Sequence, residues 1–449
     1  MNNLLNISPI DGRYQNITKE LNPYLSEYAL IKYRMLVEIK WLIYLSKEKV
    51  IQEIKKEDIK KLENIINNFN LEEANQVKEI ETTTKHDVKA IEYYLQNKFK
   101  ELNLNYLISY IHITLTSEDI NNVSYNLMLK DAINNIYLPK LDSLINLLKE
   151  KSILYQERTM LSHTHGQVAS PTTLGKELKV FEYRISCIKD LLKNLNLKSK
   201  FSGAVGNYNC HIIAFPNIDW IKLSKSFIES LNLSYNPVTT QIESHDILCI
   251  MLSYIKVINN IIKDLNSDMW LYISKNYLIE KSIKNEVGSS VMPHKVNPIN
   301  HENSMANIEL SNGIIDSLVN NLSISRMQRD LSDSSKMRNL GVILGHSLIS
   351  INQTIIGLNK IIVNDNLLDE ELNNNYNVLT EAVQTILRKN NIPNAYELLK
   401  ELSRGKNIEK EDLHNFIKKL DINEIDKKIL LELTPNNYIG LAKSIVINN

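Results

Sequence analysis

Chain breakers are scarce in this sequence. Its 449 residues include only 12 glycines and 10 prolines, and long stretches contain neither. With apolar residues recurring at three- and four-residue spacing, that scarcity argues for long helices. Strands have little support beyond a possible short hairpin around Gly203–Asn209. Cysteine is nearly absent: Cys187, Cys210 and Cys249 stand far apart with no C-x-x-C pair, so neither a disulfide framework nor a zinc site is expected. Net charge is absent too, with 52 basic and 52 acidic side chains. That balance points to neither a nucleic-acid partner nor a membrane surface. An anionic substrate stays compatible with it, because a few arginines and lysines in one cleft are invisible in the total. Met1 to Pro9 lacks the basic and apolar regions of a signal peptide. The greasiest stretch, Ile247 to Ile262, is interrupted by Ser253, Lys256, Asn259 and Asn260 and fails as a membrane span. A cytoplasmic location is expected. No G-x-G-x-x-G, P-loop or fixed repeat occurs.

What is present has the balance of a globular chain, 43% hydrophobic and 23% charged. The expected fold is all-α, in three helical domains: 1–105, 106–353 and 354–449. The first holds shorter helices, one from Ser26 to about Lys47 and another after Lys85-His86-Asp87. The middle carries the longest candidates: Leu138 to about Tyr155, about Asp246 to Ser274, and about His301 to Leu322. A further one is expected to start at Ser170-Pro171, read as an N-cap followed by proline at the first helical position, and to reach about Leu195. The helix from Asp246 is apolar nearly all round, with Ile247, Leu248, Met251, Ile255, Ile258 and Ile262 unable to share one face. Such a helix needs cover on most sides, from a long bundle in a single chain or from one completed by partner subunits; the second, an oligomer, is expected. The last domain returns to shorter helices, including Asn394 to Leu402 and Lys410 to Leu420.

Four segments concentrate chemistry. Val287 to Pro298 packs two hydroxyls, an imidazole, an ammonium and an amide between Gly288, Pro293 and Pro298, which forbid a regular helix. By composition it fits a polar connection equally well. In Leu161-Ser162-His163-Thr164-His165-Gly166-Gln167, two histidines at i, i+2 fit metal ligands lacking a third partner, the source of one general acid–base, or plain turn caps. Glu81-Thr82-Thr83-Thr84-Lys85-His86-Asp87 sits at a helix start, where Asp87 could simply favour the dipole. Leu115 to Asn122 reads on its own as a capping cluster.

Together these segments carry a resemblance. Gly288-Ser289-Ser290-x-Met292-Pro293-x-Lys295-x-Asn297-Pro298 resembles the signature loop of the fumarase/aspartase superfamily. His294, Thr84-Lys85-His86-Asp87-Val88, Thr116 to Asn122, Thr164-His165-Gly166-Gln167, Gly203 to Asn209 and Arg326 to Ser334 resemble its adenylosuccinate lyase branch. The likeness runs from Ser8 to about Ile439 and is nearest the longer bacterial-type branch.

The resemblance implies β-elimination of fumarate from succinylated purine-pathway nucleotides, without cofactor or metal, by a homotetramer whose subunits share each site. It implies Ser289 as base, His165 as general acid, and Lys295 with Asn297 on the succinyl carboxylate. Glu302 is implied as the partner of His165, though it also fits a plain acid at a helix start. Arg13, Tyr14, Arg329, Ser334 and Arg338 match phosphate-side contacts, where guanidinium suits bidentate binding. Lys85, His86, Asp87, Thr116, Ser117, Gln241, Ser290 and Asn303 match further substrate positions. Lys85 departs from the asparagine common in relatives and adds a charge there. Serine is a weak base unless its alkoxide is stabilised, a task that falls to Lys295 and the loop amides.

Overall fold

The structure is a computed structural model and describes residues 3–281, 292, 295–403 and 408–448. Ser289, Ser290 and His294 lie outside the described residues. Among those described, the fold is helical apart from three two-stranded sheets. The helices used below are α1 (Glu27–Lys47), α2 (Asp87–Glu101), α3 (Ser117–Ala132), α4 (Leu138–Leu154), α5 (Leu174–Lys193), α6 (Asp246–Ser274), α7 (Ile299–Leu322) and α8 (Leu340–Lys360). Two compact units alternate along the chain. The first comprises Met1–Leu141, Ile188–Asn260 and Ala306–Asn352, the second Asp142–Cys187, Ile261–Met305 and Gln353–Asn449.

The first unit is organised on α1, which starts where Ser26 accepts a hydrogen bond from the Ala29 N–H at 3.1 Å. Leu30, Val37, Trp41 and Leu45 are buried along it. The Trp41 ring meets Phe201 and Phe227 edge-on, with centroids 4.8 and 4.9 Å away. α3 runs into α4 through one π-helical turn, Ile133–Tyr137. That turn ends two residues before Pro139, whose missing N–H and ring would disrupt regular α-helical bonding there.

In the second unit, Thr159–Thr164 (β1) pairs antiparallel with Gln167–Thr173 (β2). This corrects two expectations. The hairpin lies here and not at 203–209, and Ser170-Pro171 belongs to a strand, so α5 begins only at Leu174. Pro171 sits opposite Leu161, beside a shift of register between Leu161 and Ser162, a place where proline is tolerated in a sheet. The C-terminal helices enclose their own core of Leu379, Val383, Leu387, Leu413, Ile417 and Leu430. Asp426 holds that corner, accepting hydrogen bonds from Lys389 at 2.8 Å and from Asn390 and Asn423 at 2.7 Å.

One helical run, Ser332–Lys360, is long and apolar enough to cross a membrane by length and composition, and 67% of its apolar window is buried inside the protein. Burial of that kind marks the core helix of a folded protein.

Candidate active site

In the first unit the sequence-expected residues gather at helix ends. Lys85 adopts φ +53° and closes the helix Leu71–Thr84. His86 caps α2, its Nδ1 accepting the Lys89 N–H at 3.1 Å. Asp87, in the first turn, lies 2.8 Å from the buried Arg34 guanidinium and 2.9 Å from that of Arg338. Burial alone would raise the Asp87 carboxyl, but Arg34, the Val88 N–H and Arg338 outweigh it and hold it below the usual range. Arg338 is also paired with Glu27. Ser334 is half-buried in the helix Ser332–Met337. Near the start of the chain, the exposed Arg13 lies over the Tyr14 ring, 5.8 Å from its centroid.

Thr116 and Ser117 open α3, where the Thr116 N–H donates to Asp119 at 2.9 Å. Asp119 is fully buried and also ties down the turn at 203–208. It accepts the Ser202 N–H at 2.9 Å and the Gly203 N–H at 3.1 Å, and it lies 3.0 Å from the Lys200 ammonium. Gly206 in that turn has φ +82°, and a Cβ there would sit 2.2 Å from the Thr239 carbonyl oxygen. Only glycine fits. The Gln241 side chain donates to the Ala204 carbonyl at 2.9 Å and accepts from Arg329 Nη1 at 3.1 Å.

In the second unit, His165 and Gly166 form the two-residue tip of the β1–β2 hairpin, between the pair Thr164 and Gln167. Both have positive φ, +55° and +73°, as a type I′ turn requires. The His165 ring is thereby presented to solvent. His163, one step back, packs 6.0 Å from Tyr277, and burial with Lys275 nearby lowers its pKa. Glu302, exposed in the first turn of α7, accepts from the Trp270 indole at 3.1 Å. Lys295 is exposed, while Asn297 and Asn303 are half-buried.

A further cluster in the first unit was not expected from the sequence. Beside Arg329 lie buried Glu118, His245 and Asp333, with ligand-type atoms all within 4.8 Å of one another. Among the described residues this is the one such group that could hold a metal ion, and it includes neither His163 nor His165. Arg329 Nη2 is 3.4 Å from Glu118 Oε2, so a guanidinium already supplies positive charge there. The Glu118 carboxyl is pushed up to about 7, chiefly by burial, with Arg329 pulling the other way. His245 is raised as well, because Asp333, Glu243 and Glu118 outweigh its burial. Glu118 and Asp333 stand in segments singled out from the sequence, but no spacing brings them to His245.

The comparisons with known proteins decide the family. A sequence model described as a lyase family matches residues 12–309, and one described as the adenylosuccinate lyase C-terminal region matches 325–439. The adenylosuccinate lyase of Buchnera aphidicola subsp. Schizaphis graminum is 48% identical over 99% of both chains.

The chain belongs to the adenylosuccinate lyase family.

Other adenylosuccinate lyases agree: that of Legionella pneumophila is 48% identical over 98% of this chain and 97% of its own, and that of Escherichia coli 43% over 99% of both. The fold is shared more widely. A fumarate lyase from Mesorhizobium superposes with a TM-score of 0.76 at 17% identity, covering 96% of this chain and 97% of that one. A 3-carboxy-cis,cis-muconate lactonizing enzyme from Pseudomonas putida gives 0.75 at 18%, covering 96% of each. The adenylosuccinate lyase family thus accounts for the helical fold, and the enzyme is a C–N lyase.

Proposed function

We propose that this chain eliminates fumarate from adenylosuccinate, giving AMP, and from succinylaminoimidazolecarboxamide ribotide, giving the aminoimidazole carboxamide ribotide. The observation that carries the reading is full-length kinship, 48% identity over 99% of the chain, with an adenylosuccinate lyase.

In this reading Ser289 removes the proton next to the succinyl carboxylate. Electrons move to form the fumarate double bond as the C–N bond breaks, and His165 protonates the departing nitrogen. The intermediate carbanion spreads charge onto a carboxylate, so cationic and hydrogen-bonding groups aimed at that carboxylate lower the barrier. Lys295 and Asn297 have that role, with Ser290 and Asn303 as further contacts. Glu302 orients the His165 imidazole. Arg13, Tyr14, Arg329, Ser334 and Arg338 hold the phosphate side, and Lys85, His86, Asp87, Thr116, Ser117 and Gln241 hold the remainder of the nucleotide. The exposed position of His165 at the tip of a two-residue turn supports its reading as a proton donor.

The protein acts in this account as a cytoplasmic homotetramer with sites shared between subunits, its central domain at 106–353 forming the core. Apolar residues exposed on the long helices support that assembly: Val257 is 40% exposed, Leu271 50% and Leu310 54%. To test the activity, purified protein is supplied with each succinylated nucleotide, and with argininosuccinate as a control, while fumarate and the nucleotide product are quantified. Equal amounts of both products from the nucleotides and none from argininosuccinate are expected. Fumarate from argininosuccinate alone would overturn the reading.

A further inference from the structure

The guanidinium of Arg329 is held from two sides. Gln241 accepts from Nη1 at 3.1 Å, and Glu118 Oε2 lies 3.4 Å from Nη2. A guanidinium has five N–H donors in a rigid fork, so two anchors fix its plane and leave the other donors for a ligand. Glu118 is buried, with only 4% of its side chain exposed, while Thr116 and Ser117 beside it are half-buried. Behind it lie Asp333 and His245. His245 Nε2 is 3.8 Å from Asp333 Oδ2, and Nδ1 is 3.9 Å from Glu243 Oε2, whose other contact is the His245 N–H at 2.8 Å. His245 Nε2 and Asp333 Oδ1 are both buried without a hydrogen-bond partner. The His245 backbone is itself held at φ +61°, a costly conformation for a residue with a side chain, and one that persists only where surroundings impose it.

Three carboxylates, Glu118, Glu243 and Asp333, therefore crowd one imidazole and one guanidinium away from water. Buried charges of one sign are tolerated only when paired. If His245 did not offset Asp333 and Glu243, the excess negative charge would draw Arg329 inward, away from any ligand.

We propose that Glu118 and His245 are positioning residues that hold the Arg329 guanidinium in its substrate-gripping orientation, a reading that rests on the assignment of Arg329 to the anionic substrate. Glu118 anchors the guanidinium directly. His245 acts behind it by neutralising Asp333 and Glu243. The groups facing Glu118 are Arg329, Asp333, His245 and Lys200, and Lys200 is committed to Asp119 at 3.0 Å. Because Glu118 is pushed up to about 7, it loses its anchoring charge as pH falls through neutrality, and substrate affinity falls with it.

The test is a double-mutant cycle on steady-state kinetics of the full-length protein with adenylosuccinate, at pH 8 and again at pH 6.5. Glu118→Gln and His245→Gln are each expected to raise KM about tenfold, the scale of one misplaced charge-assisted hydrogen bond, and to lower kcat much less. In an Arg329→Ala background neither substitution should raise KM further. The rise in KM from pH 8 to 6.5 should be smaller in Glu118→Gln than in the unsubstituted protein. Should glutamine not be tolerated at 118, Glu118→Asp keeps the charge but shortens its reach, and a smaller rise in KM is expected. KM within twofold of the unsubstituted protein in these variants, while Arg329→Ala raises it, overturns the proposal alone. So does a Glu118→Gln penalty of equal size with and without Arg329. An unchanged KM in Arg329→Ala overturns the assignment of Arg329 first, and the proposal with it.

Discussion

Arg34 and Asp87 form an ion pair at 2.8 Å in which the arginine side chain is 1% exposed. Arg34 also donates to Asn121 at 2.8 Å, so one guanidinium joins α1, the start of α2 and α3. Without Arg34, Asp87, a quarter exposed, still has Arg338 at 2.9 Å, so the cost is that of a lost hydrogen bond to a charged group, about 1.5–3 kcal/mol, and not that of a charge left alone. Arg34→Met should therefore lose about that much stability in urea unfolding. A loss below about 1 kcal/mol would show that the pair does not organise these helix starts.

Acid should destabilise the protein through its buried histidines. His301 is fully buried and its Nδ1 lies 2.7 Å from Asn266 Oδ1. His211 is fully buried against Trp220, with centroids 4.7 Å apart. Burial lowers each to about 4 from an ordinary value of 6.5. The unfolded chain thus binds protons that the folded one refuses. The stability contributed by the neutral rings is complete above pH 6.5 and is lost as pH falls towards 4, by about 3 kcal/mol for a shift of that size. His211→Phe keeps a ring beside Trp220 but cannot titrate. Its unfolding free energy should fall less steeply between pH 6.5 and 4, and an equal slope would contradict the account.

Gly206 is a backbone requirement. Its φ of +82° and the 2.2 Å approach of the Thr239 carbonyl mean that Gly206→Ala must move the turn from which Ala204 accepts Gln241. A cost of about 2 kcal/mol or more is expected, with KM for adenylosuccinate rising alongside. A variant as stable as the parent would contradict the turn geometry.

Assembly is testable on α6. Val257 is 40% exposed in the single chain, and a charge there would have to be desolvated in a subunit interface. Val257→Asp should shift sedimentation from tetramer towards smaller species. An intact tetramer would place the interface elsewhere.

The legible part of the fold was its helical skeleton. Apolar residues at helical spacing marked α1, whose first turn Ser26 caps, and apolar residues on every face between Asp246 and Ser274 marked α6. The 159–173 hairpin was misread because Ser170-Pro171 mimics a helix N-cap and N1, whereas its pairing with β1 is a non-local fact. The glycines at 203 and 206 suggested a hairpin, yet the strand beside that turn pairs in parallel, Lys198 with Ser234. Motif residues such as His86, Gln241 and Arg329 could be named in advance because they lie in recognisable segments. Of their supports, Glu118 and Asp333 lie inside such segments without an expected role, while Arg34 and His245 lie outside them; each meets its partner only through tertiary packing.

The most direct test of the central claim is the turnover number of Ser289→Ala on adenylosuccinate, measured as fumarate released alongside the unsubstituted protein. If Ser289 is the base of a β-elimination, turnover should fall by about a thousandfold or more, as expected for loss of a positioned proton acceptor, while the folded variant still binds substrate. Near-normal fumarate release from Ser289→Ala would contradict the account of the reaction at this site.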